Sequence, residues 1–127
     1  FQDKKASKLE KIKKINILIA DHEEKIGNKF LDFLKTKKKI NLIGQDTMRD
    51  RNRAPTFSFT VDGITSKEVS RLLVKEGIAT RNDNFYAWRC LKALGIDIED
   101  GVVRTSMVHY NNFDDVEKLI KSIDKIT

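Results

Sequence analysis

Apolar side chains at Leu9, Ile12, Ile15, Ile19, Ile26, Phe30 and Phe33 recur at intervals of three, four or seven residues. That period lays them along one stripe of a helix and predicts a long amphipathic α-helix from about Lys5 to Lys35, bent near Gly27. The stripe is longer than a domain of this size ordinarily covers, so half of it is expected to pack on something else. Ile40 to Ile43 reads as a short strand, and Gly44 to Ala54 as a polar loop ending at Pro55. Thr56 to Val61 alternates strictly, with Phe57, Phe59 and Val61 on one face of a strand.

The period then returns to that of a helix. Thr65-Ser66-Lys67-Glu68 has the spacing of a capping box. It opens a helix that buries Val69, Leu72 and Leu73 and stops at Gly77, where a left-handed residue is needed. Ile78 to Arg81 is expected as a third strand, Tyr86 to Leu94 as a short helix ending at Gly95, and Val102 to Met107 as a fourth strand. Asn112 caps a last helix with Phe113, Val116, Leu119, Ile120, Ile123 and Ile126 on its buried side. Together these elements predict an α+β fold: a small, mainly antiparallel sheet of three to four strands, helices on one face, and a long amphipathic helix in front.

Composition narrows the function classes. A chain of 127 residues, 39% hydrophobic and 35% charged, is the size and balance of one globular domain. No apolar run approaches the roughly 20 residues of a membrane span, so no membrane partner is expected. The net charge is +6, but residues 1–39 hold 12 of the 25 basic side chains against 6 of the 19 acidic ones, leaving 13 against 13 beyond. The excess therefore lies on one helix whose aromatic residues, Phe30 and Phe33, belong to the apolar stripe and are not interleaved with lysines on the polar face, which argues against nucleic-acid binding. The single cysteine, Cys90, excludes an internal disulfide and fits a reducing compartment, taken here as the cytoplasm. The start, Phe1-Gln2-Asp3-Lys4-Lys5, has neither an initiator Met nor a signal-peptide apolar region, and is expected to be a cut within a longer protein.

The chemistry-bearing residues are few. His22 and His109 lie far apart with no second ligand one turn away, so no metal site is expected. Glycine-rich phosphate loops, Gly-x-Ser-x-Gly elbows and paired apolar carboxylates are absent. Cys90, beside Arg89, reads either as a small core residue or as a thiol in an electropositive setting. His109 reads either as a hydrogen-bonded structural residue or as a proton carrier. Arg104, near the end of a short apolar strand and just ahead of a capped helix, is the lead candidate. Packing of its flanks would fix a planar five-donor fork suited to a carboxylate. Arg81, at the end of the preceding strand, would share an anion site with it across the loop Asn82-Asp83-Asn84-Phe85-Tyr86. The competing reading pairs Arg81 with Asp83 or Asp97, and Arg104 with a nearby acidic residue.

The run from Ile78 to Ala87, with Arg81 and then Tyr86, and the run from Val103 to Ile126, with Arg104-Thr105-Ser106, Tyr110-Asn111-Asn112 and Asp114-Asp115, carry a family resemblance. In order and spacing they resemble the carboxy-terminal domain of class V aminotransferases, in particular cysteine desulfurase-like proteins and selenocysteine lyases. Pro55 to Gly77 is similar to the family's entry into that domain.

The resemblance implies the small domain of a fold type I pyridoxal-phosphate enzyme, a lyase or transferase acting on an amino acid, with Arg104 holding the substrate carboxylate and Arg81 a weaker second contact. It also implies that the cofactor's lysine and most of its phosphate cradle belong to a missing N-terminal large domain, and that the parent is a homodimer. Residues 1–39 would link to that domain and residues 40–127 would form the small one. The fragment alone would be inactive. Counting from Arg81, Tyr86 occupies the place of the family's nucleophilic cysteine, with Cys90 four residues further on, which puts persulfide chemistry by the usual route in doubt. A different reading of the residues is a free-standing basic module that binds an acidic protein or nucleic acid through its first helix.

Overall fold

A computed structural model describes residues 6–49 and 53–127. The first helix, α1 (Lys8–Thr36), begins where Ser7 and Glu10 form a reciprocal capping box. The serine hydroxyl accepts from the Glu10 amide at 3.3 Å, and the glutamate carboxylate accepts from the Ser7 amide at 2.7 Å. That cap sets the start after Ser7; the expected start at Lys5 lies outside the described residues. Gly27 sits inside an uninterrupted helix, where a Cβ would meet the Met48 side chain at 3.0 Å. Its smallness admits Met48 against the helix.

Four strands follow in one sheet: β1 (Ile40–Ile43), β2 (Thr56–Val61), β3 (Arg81–Asp83) and β4 (Val102–Ser106). Their spatial order is β1-β2-β4-β3, every pairing is antiparallel, and β2 and β4 form the centre. The helices α2 (Ser66–Lys75) and α4 (Phe113–Asp124) join α1 over one face of the sheet, and a short helix, α3 (Trp88–Ala93), lies between β3 and β4. This is the α+β architecture expected from the hydrophobic pattern.

The core forms where the helical stripes meet the alternating strand. Phe57, Phe59 and Val61 point inward with Val103 and Met107 of the neighbouring strand and its extension, and meet Ile26, Phe30, Leu31 and Leu34 of α1, Val69 and Leu73 of α2, and Val116, Leu119 and Ile123 of α4. Phe30 is fully buried, with the Phe57 ring edge-on at 5.2 Å and Phe59 at 6.4 Å. Aromatic pairs in this arrangement add to the area they remove from water. The core takes only the carboxy-terminal half of the α1 stripe: Leu9, Ile12 and Ile15 remain exposed. His22 closes the seam by donating from Nε2 to the Asn111 carbonyl at 2.7 Å.

Several expected boundaries move, each for a local reason. Thr65 caps α2 by accepting from the Glu68 amide, but the Glu68 carboxylate turns to Arg71 at 2.5 and 2.7 Å instead of returning to the cap. The third strand is Arg81–Asp83, not Ile78 to Arg81, because Ile78 still belongs to the end of α2. Its amide donates to Leu73 O at 3.0 Å beyond the left-handed Gly77 (φ +73°). The short helix begins at Trp88 because Tyr86 has φ +59° and cannot enter a right-handed turn. Leu72 is half-buried, and Phe113, expected inside, is 45% exposed and sits under the Lys29 ammonium at 5.3 Å.

Candidate functional site

Strand alternation gives Arg104 its direction. Its neighbours Val103 and Thr105 are buried toward the helices, so Arg104 points to the opposite face of the sheet, where it is half-buried. Strand register places it in a row that crosses all four strands: Ile43, Ser58, Arg104, Arg81. The two candidate arginines, separated by 22 intervening residues, are thus direct cross-strand neighbours.

Neither arginine has a carboxylate partner or a side-chain hydrogen bond among the described residues. The carboxylates that could have neutralised Arg81 are engaged elsewhere: Asp83 accepts from the Asn84 amide at 2.7 Å and Asp97 from the Glu99 amide at 2.9 Å. Like charges set directly opposite on adjacent strands repel. What holds Arg104 is an aromatic face: its guanidinium carbon lies 4.0 Å from the centroid of the Phe85 ring. A ring attracts the cation without using its N–H donors. The fork is therefore supported and still able to bind an anion.

Phe85 and Asn84 escape a reading by motif because neither carries a charge or a titratable group. The signal that could have found them is the turn-forming run Asn82-Asp83-Asn84 directly ahead of an aromatic residue. Asn84 donates from Nδ2 to Ile98 O at 3.2 Å and accepts the Tyr86 amide at its side-chain oxygen at 3.0 Å. Behind the turn, Gly101 (φ +70°) leaves no room for a side chain, since a Cβ there would fall 2.3 Å from the Asp83 carbonyl. Tyr86 is 96% exposed and Cys90 is exposed on α3, so Cys90 is no core residue. His109 is likewise exposed, packed edge-on to Tyr110 at 5.5 Å with no side-chain hydrogen bond among the described residues.

Other charged groups have structural work. Arg53 donates to Gln45 O and, at 2.5 Å, to Thr56 O, and lies over the Phe57 ring at 4.7 Å; burial lowers its pKa. A cleft of about 270 Å³ opens on the helical side, lined by Thr80, Thr105, Ser106 and Lys118 among others, and Arg104 stands outside it. The described residues contain no cluster of His, Cys, Asp or Glu that could hold a metal ion, and no helix long and apolar enough to cross a membrane.

Comparison with known proteins bears on the whole arrangement. The family model described as Aminotransferase class-V matches residues 6–119. The chain is 34% identical over 110 residues to the aminotransferase-like protein FGM3 of Gibberella zeae, covering 85% of this chain and 27% of that protein. It is 27% identical over 107 residues to a probable cysteine desulfurase of Pseudomonas putida, covering 84% and 24%. The structure of a cysteine desulfurase from Thermococcus onnurineus superposes with a TM-score of 0.75 at 25% identity, over 86% of this chain and 26% of that one. The chain spans about a quarter of the length of the curated relatives it matches.

Proposed function

Since the chain belongs to the class-V aminotransferase family and resembles a domain of its cysteine desulfurases, we propose that it supplies the carboxylate-binding arginine of an amino-acid-processing enzyme, Arg104. The observation that carries this is a half-buried arginine whose guanidinium is supported by a ring and has no carboxylate partner among the described residues. A free α-carboxylate suits that fork, because two parallel N–H···O bonds can form along its open edge. Arg81 adds a second positive charge beside it. The arginine row lies on the sheet face away from α1, α2 and α4, and a surface from elsewhere in a longer protein is needed to enclose a substrate there. We assign residues 1–39 as the connection to such a large domain and residues 40–127 as the small domain, within a homodimeric cytoplasmic parent.

Pyridoxal phosphate is the cofactor this reading calls for. The three longer helices offer its phosphate no open N-terminus, because each is filled by its own cap: Ser7 with Glu10 on α1, Thr65 on α2, Asn112 with Asp115 on α4. On this reading the cofactor's lysine and most of its phosphate cradle belong to the large domain, and the fragment alone is expected to be silent. Tyr86, at the family's cysteine position, offers no sulfur nucleophile, which favours lyase or transferase chemistry on the amino acid over persulfide formation.

The test is Arg104→Ala in the full-length protein. Loss of one partner from a charged pair should weaken amino-acid binding by about 2 to 4 kcal/mol, and unchanged affinity overturns the assignment. Borohydride treatment of the native gene product, followed by intact mass, separately reports whether it carries a pyridoxyl group on lysine.

A further inference from the structure

The turn that follows Arg81 is strained in one direction. Phe85 and Tyr86 are the two non-glycine residues with positive φ among those described, +51° and +59°, in a backbone region that side-chain-bearing residues enter at a cost. Asn84 holds them there with four hydrogen bonds. Its amide donates to Asp83 Oδ1 at 2.7 Å, its carbonyl accepts from the Ala87 amide at 2.8 Å, and its side chain joins Tyr86 N and Ile98 O. Such strain persists only where the surroundings over-determine it.

Core packing does not account for it. Phe85 belongs neither to the buried cluster nor to the partly buried residues packed against it. What the turn achieves is the ring over Arg104 at 4.0 Å. An acidic residue in that place would have oriented the guanidinium equally well and consumed its donors. A ring orients it and leaves all five N–H groups available.

We infer that Phe85 is a positioning residue: its ring, held by the Asn84 turn, fixes the plane of Arg104 so that the free edge of the guanidinium meets an incoming amino-acid carboxylate. This rests on the reading of Arg104 given above. Preorganisation of this kind acts on binding, because the ordering of a long side chain is completed before the ligand arrives.

The experiment uses Phe85→Leu, which keeps apolar bulk and removes the π face, and Phe85→Tyr, which restores it, each with and without Arg104→Ala. In the full-length protein the probe is a panel of common L-α-amino acids, L-cysteine included, and the tightest binder is carried through the series. Phe85→Leu should raise its dissociation constant about 3- to 10-fold, Phe85→Tyr should return it to the parent value, and Phe85→Leu should add nothing once Arg104 is Ala. In the same proteins the Arg104 Nε–H proton resonance should be displaced by the ring in the parent and in Phe85→Tyr and relax in Phe85→Leu. If Arg104→Ala leaves the dissociation constant unchanged, the carboxylate reading falls and this inference with it. If Arg104→Ala weakens binding but Phe85→Leu does not, or weakens it equally in the Arg104→Ala background, only the positioning role is overturned.

Discussion

Arg81 and Arg104 stand directly opposite each other on β3 and β4, two like charges in cross-strand register with no carboxylate partner among the described residues. A protein selected for stability alone gains nothing from this pair, so its cost is one to set against function. Replacing Arg81 by Gln should raise the melting temperature at low ionic strength, by an amount corresponding to about 0.2 to 1 kcal/mol. The gap between parent and variant should close as salt screens the repulsion. A lower melting temperature for Arg81→Gln at low salt would mean the two charges are not in conflict.

The two halves of α1 should respond differently to truncation. Phe30 is fully buried among aromatic rings, whereas Ile12 is 44% exposed on the same helix. Phe30→Ala should cost about 3 to 5 kcal/mol through lost burial and an unfilled cavity, and Ile12→Ala should stay within about 0.5 kcal/mol. Denaturant titration of this chain measures both. A large loss at Ile12 would show that the amino-terminal half is packed on something in solution.

Glycines at similar φ should also separate. Gly95 has φ +70° in open space, and Gly101 has φ +70° with the Asp83 carbonyl where a Cβ would go. Gly95→Ala should cost about 1 to 2 kcal/mol, the left-handed penalty alone. Gly101→Ala must also displace the backbone behind the Asn84 turn and should cost clearly more, with the Arg104 Nε–H resonance moving as well. Equal losses at the two positions would separate the turn from the segment behind it.

One contact between α1 and α4 sets a pH signature. Lys29 donates to the Glu117 carboxylate at 2.6 Å, and that hydrogen bond is the main cause holding the Glu117 pKa below its ordinary value. A folded-state pKa below the unfolded one adds stability above the unfolded value, near 4.3, and loses it as pH falls through the folded value. Glu117→Gln should therefore lower the melting temperature slightly at pH 7, and the difference should fade between about pH 5 and pH 2. A difference that persisted at pH 2 would assign the effect to something other than this charge.

Much of the fold is legible in local pattern because period and punctuation are local properties. The alternation of Phe57, Phe59 and Val61, the left-handed stop at Gly77 and the cap at Asn112 each need only neighbouring residues to form, and each appears as the pattern predicts. The chain also shows its family resemblance in the order of Arg81, Tyr86, Arg104 and Tyr110-Asn111. Where the reading drifts, a tertiary contact competes with the local rule. Glu68 takes Arg71 over its own cap, Ile78 closes the helix before it can join a strand, and Phe113 sits outside under Lys29.

The candidate site divides in the same way. Sequence by itself determined that Arg104 would lie on a strand with buried flanks, since that follows from alternation, whereas Arg81, expected to close a strand, opens β3 instead. Only the tertiary structure decided that the two face each other across β3 and β4, because register is set by how strands pair in the sheet and not by either strand alone. It likewise decided that Phe85, with no charge to mark it, would be turned by Asn84 onto Arg104. That contact depends on two consecutive left-handed residues, a conformation that local propensity disfavours and that the packing of Ile98 to Gly101 behind the turn enforces.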